Sequence, residues 1–185
     1  LSSDYAAMTN AAIALFEATA DRIYIDHAQN FVTQLDLRHG DEQGNGYYLT
    51  ASDSKDVPIR IRGDVDEAIP SATSQVIEAL VKLATVTGEI ALQEKAWTVA
   101  EHAAGRAERQ TYGQVGILNA CELAMEPRKL ILVDQAANPS LVPVANRNPD
   151  PRRVDILVPV GMENQLANLP GGTAPQTESH SSCVQ

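Results

Sequence analysis

Two stretches of this chain, sixty-eight positions apart, carry the same apolar pattern, and that repetition limits the fold more than any other feature. Ala12 aligns with Leu80, Leu15 with Leu83, Thr19 with Thr87, Asp21 with Glu89, Ala28 with Ala96, Phe31 with Val99 and Leu35 with Ala103. Each copy reads as a helix, a tight Thr-x-Asp/Glu turn and a returning helix. A two-helix hairpin cannot bury its apolar faces alone, so repeated hairpins stack into a solenoid or close into a ring. Two and a half hairpins are legible, too few to close a ring. Either preceding hairpins complete it in a longer protein, or the open edges are covered by association.

The second copy has the clearest helix start in the chain. Ser71, after Pro70, is an N-cap, and Asp64, Asp66 and Glu67 place negative charge beside the positive helix end. Val76, Ile77, Leu80, Leu83 and Ala84 then form one apolar stripe, and Gly88 stops the helix. The first copy predicts a helix over 3–20, capped by Ser3 or Asp4, with Met8, Ala12, Leu15, Phe16 and Thr19 on one side. Its return helix runs to about Leu37 and ends at His39-Gly40.

Residues 90–108 give a fourth helix with Leu92, Ala96, Val99, Ala100, Ala103 and Ala107 inward. Thr111 caps a fifth, over 112–125, with Val115, Leu118, Cys121, Glu122 and Met125 at helical spacing. Gly46 to Ala51 reads as a short strand. Beyond Pro127 the period changes: Lys129–Val133 and Val154–Val158 are continuous apolar runs, as in buried parallel strands joined by a crossover. Asn138 and Pro139 open a helix in the link, which Pro143 interrupts. After Gly161 the tail is rich in Gly, Pro, Ser, Thr and Gln and reads as extended or disordered.

Composition narrows the function. A net charge of −10 and the lack of Lys/Arg clusters argue against nucleic-acid binding and against anionic membrane surfaces. No apolar run approaches a membrane span, and the first residues lack the marks of a signal peptide and an initiator Met. The expectation is a cytoplasmic piece of something longer. Cys121 and Cys183 suggest no disulfide framework, and His27, His39, His102 and His180 show no metal-ligand spacing. No Gly-rich phosphate loop is present, so no metal and no cofactor are expected.

In helical rings the inner helices bring their N-termini to a common end, here the helices over 3–20, 71–87 and 111–125. That end collects Asp4 and Tyr5, then Asp66, Glu67, Ser71 and Thr73, then Tyr112 and Gln114. Carboxylates and phenols there can hold sugar hydroxyls or serve as acid and base. The plain alternative is that Asp4, Ser71 and Thr111 are caps, and that Asp66 and Glu67 answer a helix dipole.

Taken together, SDYAAMTNAAIALFEATAD, GNGYYLTASD, DEAIPSATSQVIEALVKLATVTGE, the KLILV strand and the GTAPQ…SSC tail resemble the C-terminal region of the thioredoxin-domain-containing family that includes spermatogenesis-associated protein 20 and its bacterial relatives. The D-x-A-x-P-S segment at Asp66, Ala68, Pro70 and Ser71 is the most specific part. The resemblance implies an N-terminal thioredoxin-like domain, a six-hairpin toroid similar to sugar epimerases and glycosidases, and a small α/β extension. This chain would be the last third: a mainly α, partial (α/α) toroid over 1–127, the α/β extension over 128–161 and a flexible tail over 162–185. Two departures stand out. Ala72 and Thr73 replace a Gly-Asn pair usual in relatives, and Thr177 stands near the first of two tail cysteines, leaving Cys183.

Two functions follow as expectations: binding or processing of a small saccharide, or a helical scaffold without catalysis that docks the thioredoxin-like domain or another partner. In the second case the isolated chain should present an apolar strip on residues 3–20 and form homo-oligomers. A stand-alone hydrolase ranks below both, since no G-x-S-x-G elbow is present, and no catalytic residue is assigned.

Overall fold

The computed structural model describes residues 1–109, 111–134, 140–162 and 164. The expected features of the tail, including Thr177 and Cys183, and the Asn138-Pro139 helix start lie outside the described residues. The chain is mainly helical: α1 Ser2–Thr19, α2 Ile23–His39, α3 Ala72–Thr87, α4 Ile90–Ala107, α5 Val115–Met125 and the short α6 Val142–Asn146. A small parallel sheet pairs β1 (Arg128–Val133) with β2 (Arg153–Val158), Arg128 opposite Arg153 through Val133 opposite Val158. Pro143 sits in the first turn of α6. There its missing N–H has no intrahelical partner to lose, so the residue begins a helix instead of breaking one.

The two hairpins stop their first helices in the same way. Thr19 Oγ1 donates to Leu15 O at 2.7 Å and accepts from the Asp21 N–H at 3.2 Å. Thr87 Oγ1 donates to Leu83 O at 2.9 Å and accepts from the Glu89 N–H at 3.3 Å. The residue between is left-handed in both copies, Ala20 at φ 55° and Gly88 at φ 72°, each returning its N–H to the fourth residue before it. The Thr-x-Asp/Glu signature is therefore a helix stop in which the hydroxyl serves both strands of the turn.

Helices α1, α3 and α5 lie side by side, α1 against α3 and α3 against α5, while α2 packs on α1 and α4 packs on α3 and α5. Because α3 is enclosed by neighbours, it is buried well beyond one stripe: Ala72, Ala79, Val81 and Val86 join the expected residues. All six inward residues expected for α4 are buried. Of the repeat pair Phe31 and Val99, the first is half-buried and the second buried.

Two helices turn different faces inward than their spacing suggested. In α1 the buried set is Ser2, Ala6, Thr9, Ala12, Ile13 and Phe16, while Met8 and Leu15 are 52% and 47% exposed. In α5 it is Ile117, Ala120, Leu123 and Ala124, with Val115, Leu118 and Met125 outside. Both helices are apolar on two sides, so periodicity alone could not choose between them. For α5, closeness decides: a Cβ on Gly116 would come 2.9 Å from Ser74 Oγ, so small residues face α3.

The sheet rests mainly on α1, and Val154, Ile156 and Val158 of β2 belong to the same apolar cluster as Ile13, Phe16, Ile77 and Leu80. The Asp155 N–H on β2 is taken by Glu17 Oε1 of α1 at 3.1 Å. Gly46 to Ala51 forms no strand, only one bridge between Gly40 and Tyr47. Backbone bonds such as Tyr48 N–H to His39 O and Leu49 N–H to Ile61 O, both at 2.8 Å, tie that connection down, and side chains add to them. Tyr47 is buried and donates to Asp36 at 2.6 Å, and Arg60 and Arg62 both stack on the Tyr48 ring while Arg62 pairs with Asp41.

Candidate functional site

The junction where α3 and α5 begin gathers most of the chemistry expected at the inner-helix starts. Asp66 sits in the loop before α3, and its carboxylate spans both helices: Oδ1 accepts the Ser71 N–H at 2.8 Å and Oδ2 accepts the Gly116 N–H at 2.7 Å. Its own N–H donates to Gly113 O at 2.7 Å. Gly113, at φ 81°, makes the turn that places Gln114, not Thr111, at the start of α5. Thr111 instead donates back to Ala107 O. One carboxylate thus answers amides at two positive helix ends.

Ser71 is the N-cap of α3, its Oγ accepting the Ser74 N–H at 3.2 Å. Thr73 donates to Asp64 Oδ1 at 2.6 Å, and Asp64 is gripped by Arg106 of α4 through Nε at 2.7 Å and Nη2 at 3.2 Å. Burial pushes the Asp64 carboxyl upward, but the hydrogen bonds from Arg106 and Thr73, with the charges of Arg106 and Arg62, outweigh it and hold the group below the usual carboxylate range. Asp64 therefore fastens the loop to both helices of the second hairpin.

The remaining candidates lie elsewhere. Glu67 is exposed on the same loop and, with Ser71, lines a hollow of about 360 Å³ that also meets Arg62, Asp64 and Gln75. Asp4 is exposed beside the Leu1 amino group at 2.7 Å. Tyr5 is half-buried with its ring 5.6 Å from that of His39, and Tyr112 is 96% exposed. The structure thus brings Asp66 and Ser71 into one bonded set and Thr73, through Asp64, into another at the same junction, with Glu67 at its rim, and leaves Asp4, Tyr5 and Tyr112 apart from it.

A second hollow, about 340 Å³, opens between α3, α5 and the turn before β2, lined by Ser74, Glu78, Asn119, Glu122 and Arg152 among others. Glu122 falls within the sequence pattern of α5, but Glu78 and Arg152 had no local signal: they meet it only because the sheet folds back on the helices. Among the described residues, no group of three His, Cys, Asp or Glu side chains is placed to hold a metal ion. No helix among them is long and apolar enough to cross a membrane.

No family model matches the chain. It is similar to spermatogenesis-associated protein 20 of Mus musculus, of Rattus norvegicus and of Homo sapiens, 30% identical to each over 86 residues. The match covers 46% of this chain and 11% of each relative, so the chain spans about a tenth of the length of the curated relatives it matches. This similarity supports a relation to that family.

Proposed function

We propose that this chain is part of a longer array of helical hairpins and acts as a scaffold, with the outer face of α1 as the seat of a preceding hairpin. The observation that carries the reading is a comparison of one face in two repeats. Asn10 of α1 donates to Gln75 O of α3 at 3.3 Å, and the charge of Lys82 on α3 acts on Glu17 of α1. The flank of α3 bearing Gln75, Ala79, Lys82, Leu83 and Val86 therefore faces α1. Sixty-eight positions earlier stand Ala7, Ala11, Ala14, Leu15 and Ala18, all apolar and all exposed. By the logic of the repeat, α1 offers a preceding helix the flank that α3 offers α1.

On this reading the six-hairpin toroid, its thioredoxin-like N-terminal neighbour and a cytoplasmic setting belong to the longer protein. The test is sedimentation of the chain across a concentration series. Self-association through the open face is expected, and Leu15→Glu combined with Ala11→Glu should leave a monomer of unchanged helix content. A chain that stays monomeric at every concentration would count against the scaffold.

Saccharide binding is the second reading, favoured by the 340 Å³ hollow, whose Glu78, Glu122, Asn119 and Arg152 offer hydrogen-bond acceptors and donors along α3, α5 and the turn before β2. A thermal-shift screen of monosaccharides tests it. Stabilisation that disappears in Glu122→Gln supports it, and no shift with any sugar removes it.

A further inference from the structure

One residue pair in the connection between α2 and α3 is reactive by its own chemistry. Of the chain's asparagines, Asn45 alone is followed by glycine. The pair ends the loop 42–45, which the Asp41 N–H closes on Gly46 O at 2.9 Å. The fold requires glycine there: its φ is 136°, and a Cβ on it would come 2.9 Å from Arg62 Nη1. With no Cβ on residue 46, no side chain crowds the approach of its nitrogen to the carboxamide carbon of Asn45.

That nitrogen is also uncommitted. Gly46 is buried, yet among the described residues no group accepts its N–H, while its carbonyl is bonded. Buried amides are ordinarily paired, and pairing is what would restrain this one. Asn45 itself is half-buried, and its carboxamide donates only within the loop, to Gln43 Oε1 at 3.2 Å. Water can therefore reach the electrophile, and no hydrogen bond holds back the nucleophile.

We propose that Asn45 is a self-modifying site of the folded chain, converted by water to aspartate and isoaspartate. Hydroxide takes the Gly46 N–H proton, the nitrogen bonds to Cγ of Asn45, and the carboxamide nitrogen leaves as ammonia with a proton from water. Water then opens the resulting succinimide at either carbonyl. One water is consumed, one ammonia is released, nothing is oxidised or reduced, and a neutral side chain becomes an anion. The new charge lies one residue from the contact of Gly46 with Arg62, whose Nη1 is buried without an acceptor. Isoaspartate also inserts a methylene into the backbone two residues before Tyr47, whose hydroxyl donates to Asp36 at 2.6 Å while Asp36 pairs with Lys95 of α4. The change thus falls where the connection is fastened to α2 and α4, and it depends on neither the scaffold nor the saccharide reading.

The test is peptide mapping by mass spectrometry after the intact chain is kept in mildly alkaline buffer at body temperature. The peptide holding residue 45 should gain about 1 Da, the water gained less the ammonia lost, at a rate that rises with pH. Electron-transfer fragmentation should show both aspartate and isoaspartate. Asn10, Asn30 and Asn119, all within helices, should stay unchanged over the same period. Because nothing pairs the Gly46 N–H, the folded chain should react within about fivefold of the rate in urea, where no structure protects the site. Asn45→Gln should abolish the gain, since its longer side chain must close a larger ring. No gain at residue 45, an earlier gain at another asparagine, a gain that persists in Asn45→Gln, or a folded chain slower than that limit would overturn the proposal.

Discussion

Asp66 and the two left-handed turn residues show how much of this molecule depends on single positions. Asp66 makes two charge-assisted bonds to helix-start amides. Replacing it with Ala leaves both amides unanswered and should cost about 2 kcal/mol, read from urea unfolding. An unchanged midpoint would mean that water substitutes fully for the carboxylate, and would return Asp66 to the set of groups available to a ligand. Gly88 and Ala20 occupy the same left-handed step in their hairpins. Alanine at that step carries strain that glycine avoids, so Gly88→Ala should destabilise by about 1 kcal/mol; equal stability of the two proteins would refute this. The Ser71 cap and the Gly88 stop were plain in the sequence because each is a local event. Asp66's second bond, to Gly116 fifty positions later, could not be seen there, because it exists only once α5 lies beside α3.

Among the elements, α1 and β2 meet through Glu17. Burial pushes its carboxyl above the usual range, against the opposing charge of Lys82 and the bond from the Asp155 N–H. A carboxyl raised in the folded state contributes stability that is fully present below its unfolded value and is lost as pH rises through the folded one. The stability of the unaltered chain relative to Glu17→Gln should therefore increase as pH falls across that window, measured by unfolding the two in parallel. A pH-independent difference would rule the linkage out. Asp64, held low by Arg106, works in the opposite sense and loses its contribution as the solution is acidified. The five long helices and both strands were readable from period and run length, whereas α6 was not, because Pro143 read as an interruption and instead sits in its first turn. The inward faces of α1 and α5 were not, because an alanine-rich helix with apolar residues on two sides needs its neighbours to choose.

At the scale of the whole molecule, helices and sheet share one core. Ile156 is fully buried in the cluster that includes Ile13, Phe16 and Leu80. Ile156→Ala should lower stability by about 2–5 kcal/mol, and far-UV and tryptophan signals should shift to the same lower midpoint. Separate midpoints would make the α/β part an independent unit. The repeat was legible because a hairpin needs the same residues at the same turn wherever it recurs. The packing of the sheet on α1 was not, because no residue of β2 announces which helix it will meet. The outer flank of α1 has a geometric consequence of its own. Four of its positions, Ala7, Ala11, Ala14 and Ala18, are methyl groups, which make a shallow trough that admits another backbone to an axial separation of about 8 Å. Such proximity leaves no room for two bulky residues to meet across it, so a wedge as large as Ala11→Trp should expel any occupant while disturbing nothing behind it.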